Sequence, residues 1–318
     1  MLKLLVTRNL PDNVIAKARA EFELTYRDSP DVMTREEMEK SLRDYDLVLP
    51  TLGDIYDADV FAAVPDPRCK LLANFGVGYN HIDVAAAKKA GIAVSNTPGA
   101  VTDATADIGL MLMLMTCRRA GQGERLVRAG DWRGWHPVQM LGLHMSGKTL
   151  GVVGMGRIGQ AIAKRAHFGF GMAVKYVNRS PKDVPFPAEQ IATLKELAAQ
   201  VDVLVIAVPA GPEAHHLIDA DVLSAMQPHA HLVNIARGDI IDEAALIAAL
   251  QCGQIAGAGL DVYEFEPRVP QALMDMETVT LLPHLGTAAL EVRENMGMMA
   301  LDNLIAFAKG QSLPNAVN

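Results

Sequence analysis

Cysteine is scarce in this 318-residue chain: Cys69, Cys117 and Cys252 are the only three, far apart and without a CxxC pair. An odd count leaves one thiol unpaired under any pairing. That fits a reducing cytoplasm better than a disulfide scaffold. Long apolar runs are missing too. The most apolar stretch, Ile108 to Cys117, falls well short of the roughly 20 residues a helix needs to cross a bilayer, so no membrane partner is expected. The N-terminal stretch Met1 to Arg8 meets charge before a signal-peptide core can form, and a cytoplasmic location is expected. Positive charge is not in excess: 29 Lys and Arg against 37 Asp and Glu give a formal net charge of −8, without the basic footprint of a nucleic-acid binder. There is no Ser/Gly linker and no internal repeat.

What is present is apolar material for two cores, half of the residues being hydrophobic, in a length that suits two domains. Short β-rich runs alternate with amphipathic segments. Leu2–Thr7, Leu47–Pro50, Leu71–Asn74 and Ile92–Val94 read as strands. Pro11–Ala20, Asp57–Val64 and Asp83–Ala90 read as helices between them. A longer helical pattern runs from Thr102 to about Ala129. Its centre, Ile108 to Met115, is apolar all round and is expected to be buried on every side, either as a core helix or, with Trp132 and Trp135, as part of a subunit interface. A second series follows, with strands at Thr149–Val153, Ala173–Val177, Val201–Val208, His231–Ile235, Gly257–Val262 and Val279–Leu282. Helices are expected near Gln160–Gly169, Leu194–Gln200, Asp219–Ala225 and Glu243–Gln251. The fold class is therefore α/β, with doubly wound parallel sheets. A last helix, from about Ala288 to Lys309, comes after the second sheet is complete and can pack on either domain.

Between the strand Thr149–Val153 and its helix lies Gly154-Met155-Gly156-Arg157-Ile158-Gly159. Gly154 permits a tight turn, Gly156 lets backbone approach a pyrophosphate, and Gly159 lets helix and strand pack closely. The helix N-terminus offers N–H donors and positive potential to phosphates. In this strand–turn–helix setting a dinucleotide is the expected ligand. At the end of the next strand an Asp or Glu would bind the ribose 2′-OH of NAD. The chain instead reads Asn178-Arg179-Ser180, with no acid to repel a 2′-phosphate, a guanidinium to pair with it and a hydroxyl to donate to it. NADPH is expected to be preferred, with NADH also accepted. The alternative is that Arg179 is only a solvated loop charge.

Three further residues fall just past strand ends, where open parallel sheets bind ligands: Arg237, Glu266 and His284. As a set they suit reduction of a 2-keto acid. Arg237 presents a planar fork to a carboxylate and its neighbouring carbonyl. His284 can deliver a proton near neutral pH. Glu266, hydrogen-bonded to His284, would orient the ring and stabilise the imidazolium.

With these residues in view, the chain resembles the D-isomer-specific 2-hydroxyacid dehydrogenase family over almost its whole length. The matching stretches are 74–83, 151–159, 233–238, 259–267 and 283–286. The resemblance implies a Rossmann coenzyme domain, residues 100–287, and a discontinuous flavodoxin-like substrate domain, residues 1–99 and 288–318, with the active site in their cleft. It implies that Arg237 orients substrate, that Glu266 rather than Glu264 partners the histidine, and that His284 is the proton donor. The implied cofactor set is Gly154, Gly156, Arg157, Ile158, Gly159, Asn178, Arg179, Ser180, Val208, Pro209, Ile235, Ala236, Asp261 and Gly286. The backbone of Val77 and Gly78 is implied to hold the substrate carboxylate, with Leu52, Gly53 and Tyr79 as weaker pocket candidates. Within the family the chain is similar to glyoxylate/hydroxypyruvate reductases. That likeness implies a homodimer in which Trp135 reaches a neighbouring subunit's pocket, plain packing of Trp135 being the alternative.

His215-His216 and His229-Ala230-His231 have no cysteine or carboxylate cluster nearby in sequence to complete a zinc site, so no metal is expected and the histidines read as surface-loop residues. A non-catalytic protein that senses NAD(P)H, similar to the corepressors of this fold, retains the same residues and stays open as the alternative to an enzyme acting on small 2-keto and 2-hydroxy acids.

Overall fold

Short runs of Leu, Val and Ile between capped helices give two parallel sheets in a computed structural model that describes residues 1–318. The chain divides into two compact units, residues 1–101 with 287–318, and residues 102–286.

The first unit opens with β1 (Lys3–Val6), α1 (Asp12–Glu21), β2 (Glu23–Tyr26), α2 (Arg35–Asp44), β3 (Leu47–Leu49), α3 (Ala58–Ala62), β4 (Leu71–Ala73), α4 (Val84–Lys89) and β5 (Ala93–Ser95). Its strands pair in the order β2-β1-β3-β4-β5, all parallel, with Leu5 opposite Val48 and Leu72 opposite Val94. Side chains that start the helices explain their bounds. Asp57 and Asp83 each accept an N–H of the first turn, and Thr34 with Glu37 forms a capping box. Leu47, Leu49, Leu71 and Leu72 are fully buried, each contributing on the order of 1.5–3 kcal/mol by leaving water.

The second unit contains α5 (Thr102–Cys117), α6 (Ala120–Arg128), β6 (Thr149–Val153), α7 (Arg157–Phe170), β7 (Ala173–Val177), β8 (Ala188–Gln190), α8 (Leu194–Ala198), β9 (Val203–Ile206), α9 (Ala220–Ala225), β10 (His231–Asn234), α10 (Glu243–Gln251), β11 (Gly257–Leu260), α11 (Gln271–Met274) and β12 (Val279–Leu281). Its seven strands are parallel in the order β12-β11-β10-β9-β6-β7-β8. Strand order reverses between β6 and β9, the place where doubly wound sheets bind ligands. The final helix, α12 (Leu290–Ala308), belongs to the first unit. Gly297 meets Val14 of α1 so closely that an added Cβ would lie 2.5 Å from a Val14 methyl.

Several elements depart from the sequence expectation. The helical pattern 102–129 is broken at Arg119, whose φ of 53° is left-handed, so two helices form. Within the chain α5 is buried on one face only: Leu112 and Met113 are inaccessible, while Leu110, Met111, Leu114 and Met115 keep partial exposure. The strands β2 and β8 and the helices α2 and α11 had no sequence expectation. β2 and β8 are short, half-polar edge strands, and α2 is mostly charged. His231 is a buried strand residue rather than a surface one.

Candidate active site

The glycine turn between β6 and α7 has the conformation its residues were expected to permit. Gly154 has φ of 94°, and a Cβ there would meet Val208 Cγ1 at 2.6 Å and Val208 N at 2.9 Å. A Cβ at Gly159 would lie 2.2 Å from the Gly154 carbonyl oxygen, so helix and turn touch backbone to backbone. Gly156, by contrast, caps α7 with nothing within 4 Å of its Cβ direction, the open cradle a pyrophosphate requires. Arg157 and Arg179 are exposed and form no ion pair, leaving two cations near this turn for phosphate groups. Ser180 is exposed beside Arg179. The residues present fit a dinucleotide.

Asn178 has a structural task that its type did not reveal. Its Oδ1 accepts from Met155 N at 3.2 Å, and its Nδ2 donates to Ser180 O at 2.8 Å. The amide thus ties the glycine turn to the 178–180 loop. Val208 and Pro209 follow β9, with Val208 packed on Gly154. Ile235 and Ala236 follow β10 and are buried. Sequence reasoning passed over Asn234, which shapes this last turn: Oδ1 accepts from Ala236 N at 3.0 Å and Nδ2 donates to Arg237 O at 2.7 Å. Its place in the 233–238 stretch was the available signal.

Arg237, Glu266 and His284 stand after β10, β11 and β12, three adjacent strands. His284 Nδ1 and Glu266 Oε2 are 2.8 Å apart, and Glu266 Oε1 accepts from Tyr263 N at 3.1 Å. With Nδ1 engaged, His284 Nε2 has no hydrogen bond within the protein. Burial pushes the Glu266 carboxyl upward. The hydrogen bond and charge of His284, the Tyr263 N–H and the charge of Arg237 outweigh that and hold it below the usual glutamate value. Arg237 donates from Nη1 to its neighbour Ala236 O at 2.6 Å, but its Nε is buried without a partner. Desolvation lowers the guanidinium below its ordinary value, against the opposing pull of Glu266 and Asp239. A buried, incompletely satisfied guanidinium is the donor set that a carboxylate would complete.

His284 has φ of 56°, a left-handed conformation costly for a residue with a Cβ. Asp261 holds it there: its carbonyl accepts from His284 N at 2.9 Å, Oδ1 from Leu285 N at 2.6 Å and Oδ2 from Gly286 N at 2.8 Å. Gly286 O in turn accepts from Thr105 Oγ1 at 3.0 Å. Burial raises the Asp261 carboxyl, opposed by these two N–H donors and the nearby His284.

In the first unit, Leu52 and Gly53 follow β3, and Val77, Gly78 and Tyr79 follow β4. The carbonyls of the second loop are turned back into the protein. Asn74 Nδ2 donates to Gly76 O at 3.0 Å and Gly78 O at 2.9 Å, and Asn96 Nδ2 donates to Val77 O at 2.8 Å. The N–H groups of Val77 and Gly78 enter no hydrogen bond in the loop, as an anion-binding turn requires. The 50–54 turn is pinned by Asp54, fully buried, which accepts from Thr7 Oγ1 at 2.6 Å, Met33 N at 3.0 Å and Thr51 N at 3.0 Å. Asn96 and Asp54 escaped sequence reasoning because their partners lie far along the chain, whereas Asn74 acts within the 74–83 stretch itself. Trp135 is 79% exposed.

A doubly wound sheet with this turn at its switch point defines a dinucleotide-dependent α/β oxidoreductase. The comparisons narrow the class. Residues 110–286 match the model of the NAD-binding domain of D-isomer specific 2-hydroxyacid dehydrogenases. A glyoxylate reductase of Thermococcus onnurineus is 42% identical over 99% of this chain and 96% of its own length. A solved structure from Polaromonas, assigned to the D-isomer specific 2-hydroxyacid dehydrogenases, superposes with a TM-score of 0.93 at 35% identity over the whole of both chains. An NADPH-dependent glyoxylate/hydroxypyruvate reductase of Sinorhizobium meliloti, solved with NADP and malonate, gives 0.87 at 36% identity over 99% of this chain and 96% of that one. The chain belongs to the D-isomer specific 2-hydroxyacid dehydrogenase family. No helix is long and apolar enough to cross a membrane.

Proposed function

We propose that the protein reduces glyoxylate, hydroxypyruvate or a similarly small 2-keto acid to the D-2-hydroxy acid, reversibly, with NADPH preferred over NADH. The observation that carries this reading is the His284–Glu266 pair at 2.8 Å, after the neighbouring strands β12 and β11, with Arg237 and its unpartnered Nε after β10, the next strand in the sheet. The glyoxylate reductase relatives support turnover over a sensing role.

The nicotinamide supplies the hydride when it is bound. Gly156, Arg157 and Ile158 would hold the pyrophosphate at the start of α7, Gly154 and Gly159 shape the turn, and Arg179 with Ser180 would take a 2′-phosphate. Val208, Pro209, Ile235, Ala236, Asp261 and Gly286 would line the cofactor. Arg237 orients the substrate carboxylate; in the first unit, the N–H groups of Val77 and Gly78 are the anion donors of the loop after β4, and Leu52 is the candidate of the turn after β3. His284 Nε2 gives its proton to the carbonyl oxygen as that oxygen gains charge. Glu266 keeps Nδ1–H oriented and offsets the positive charge of the ring while it carries the extra proton. In the reverse direction the same nitrogen takes the hydroxyl proton. Residues 1–101 with 287–318 serve as substrate domain and 102–286 as coenzyme domain.

A homodimer is part of the same proposal. The helix α6 buries none of its residues, and Val127 within it and Trp132, Trp135, Val138 and Leu141 after it are exposed. Such a cluster of aliphatic and tryptophan side chains suits the core of an interface between two copies, from which Trp135 reaches the other copy's pocket. The three cysteines are free, which supports a reducing, cytoplasmic setting.

The test is consumption of NADPH and of NADH, followed by nicotinamide absorbance, across a panel of 2-keto acids that includes glyoxylate, hydroxypyruvate and bulkier analogues. Fastest turnover of the small acids with NADPH is expected. Tight cofactor binding without turnover of any keto acid would refute the proposal and favour the sensor.

A further inference from the structure

The fold assembles a second set of donors that the proposed reaction does not use. His215 and His216 lie in the loop after β9, and Glu264 lies in the segment after β11. Their ligand atoms all fall within 4.8 Å of one another. His216 Nε2 is 2.9 Å from Glu264 Oε1, and the two imidazoles are stacked with centroids 3.9 Å apart and planes 23° from parallel. The stacking turns both rings toward one side despite their adjacency in the chain. His216 has a φ of 49°, a left-handed conformation that a residue with a Cβ takes at an energetic cost. The Glu264 side chain is 13% exposed, held within the protein, and its backbone N–H donates toward Glu243. His215 is exposed, so an ion has a route in from solvent.

We infer that His215, His216 and Glu264 form a binding site for a borderline divalent cation of the Zn²⁺ type. Two imidazole nitrogens and one carboxylate oxygen suit such an ion and do not suit Mg²⁺ or Ca²⁺, which take oxygen ligands. Bonds of about 2.0–2.2 Å bring tetrahedral ligands to roughly 3.4 Å separations, so small side-chain rotations close the set around the ion and leave a fourth position for water. The sequence expectation of no metal missed this site because Glu264 is 48 residues from His216. The bound ion would join the 211–218 loop to the 262–268 segment.

The experiment is isothermal titration of the metal-free full chain with Zn²⁺, and with Mg²⁺ for comparison, alongside thermal melts with and without Zn²⁺. Wild type is compared with His215→Ala, a change at an exposed position, and with Glu264→Gln. One Zn²⁺ per chain, a higher melting temperature with Zn²⁺, and affinity weakened at least about tenfold in each variant are expected. Absence of saturable Zn²⁺ binding, Mg²⁺ binding as tight as Zn²⁺, or wild-type affinity in either variant would overturn the site.

Discussion

Replacing Gly238 by alanine should disable the proposed active site without touching any side chain in it. Gly238 follows Arg237, and a Cβ there would lie 1.8 Å from the Tyr263 carbonyl carbon, 2.1 Å from its oxygen and 2.2 Å from Glu264 N. Ordinary van der Waals contact begins near 3.4 Å, so one of the two backbone segments must retreat by about 1.6 Å. Neither neighbour is a flexible side-chain end that can swing away. One segment carries Arg237. The other presents the Tyr263 N–H that holds Glu266 Oε1 at 3.1 Å, while Glu266 Oε2 engages His284 at 2.8 Å. A retreat of that size exceeds the range within which an N–H···O bond survives. Misplacements of about 1 Å cost on the order of 10²-fold in rate. The kcat/KM for glyoxylate with NADPH is therefore expected to fall by about 10²-fold or more, measured by steady-state absorbance on protein whose circular dichroism shows it folded. A folded Gly238→Ala enzyme within about threefold of wild type would refute the argument that this backbone approach sets the site.

Other outcomes are expected from the same structure. His284→Ala should lose kcat by about 10²–10⁴-fold, and Glu266→Gln should lose less, since the amide can still position the ring but carries no charge; wild-type kcat in His284→Ala would remove its role as proton donor. Arg179→Ala should lower the ratio of NADPH to NADH specificity while leaving NADH kinetics near wild type, and an unchanged ratio would take Arg179 out of the 2′-phosphate argument. Burial depresses the His231 imidazole from 6.5 to about 4. The unfolded chain therefore takes up a proton below pH 6.5 that the folded chain refuses until near pH 4. Stability from this residue is full above pH 6.5 and is lost as pH falls toward 4, by roughly 3 kcal/mol at the most. Urea melts of His231→Phe should be correspondingly less sensitive to pH than those of wild type across that window, and parallel curves would refute the assignment.

The residues that the sequence exposed most readily are those whose task belongs to the backbone or to a strand end. Gly154 and Gly159 are required because Val208 and the Gly154 carbonyl leave no room for a Cβ. Arg237, Glu266 and His284 were traceable because parallel strands end on one side of a sheet, so chain position alone groups them. Residues that act through distant partners stayed hidden. Asn178 binds a turn 23 residues away, Asp54 gathers Thr7 and Met33, and Glu264 meets His216. No local periodicity encodes such pairings. The elements without a sequence expectation share a different cause. In Glu23–Tyr26 alternate residues are exposed, and in Ala188–Gln190 two of three are, so both look like loop until a neighbouring strand supplies their hydrogen bonds. The break at Arg119 followed from a left-handed residue in a stretch whose composition favours continuous helix.

The return of α12 to the first unit sets an order of events during synthesis. The strands of that unit are made within the first 101 residues, yet the helix that covers α1, and the residues whose backbone meets Val94 at its far edge, emerge only after the intervening 185 residues. At ribosomal speeds of 5–20 residues per second the wait is roughly ten to forty seconds. The early strands spend that interval with one flank uncovered, while the intervening unit can close on its own. The nascent first unit is thus the stage at which chaperone dependence would be concentrated, and changes in α12 would be felt in the yield of folded protein before they were felt in catalysis.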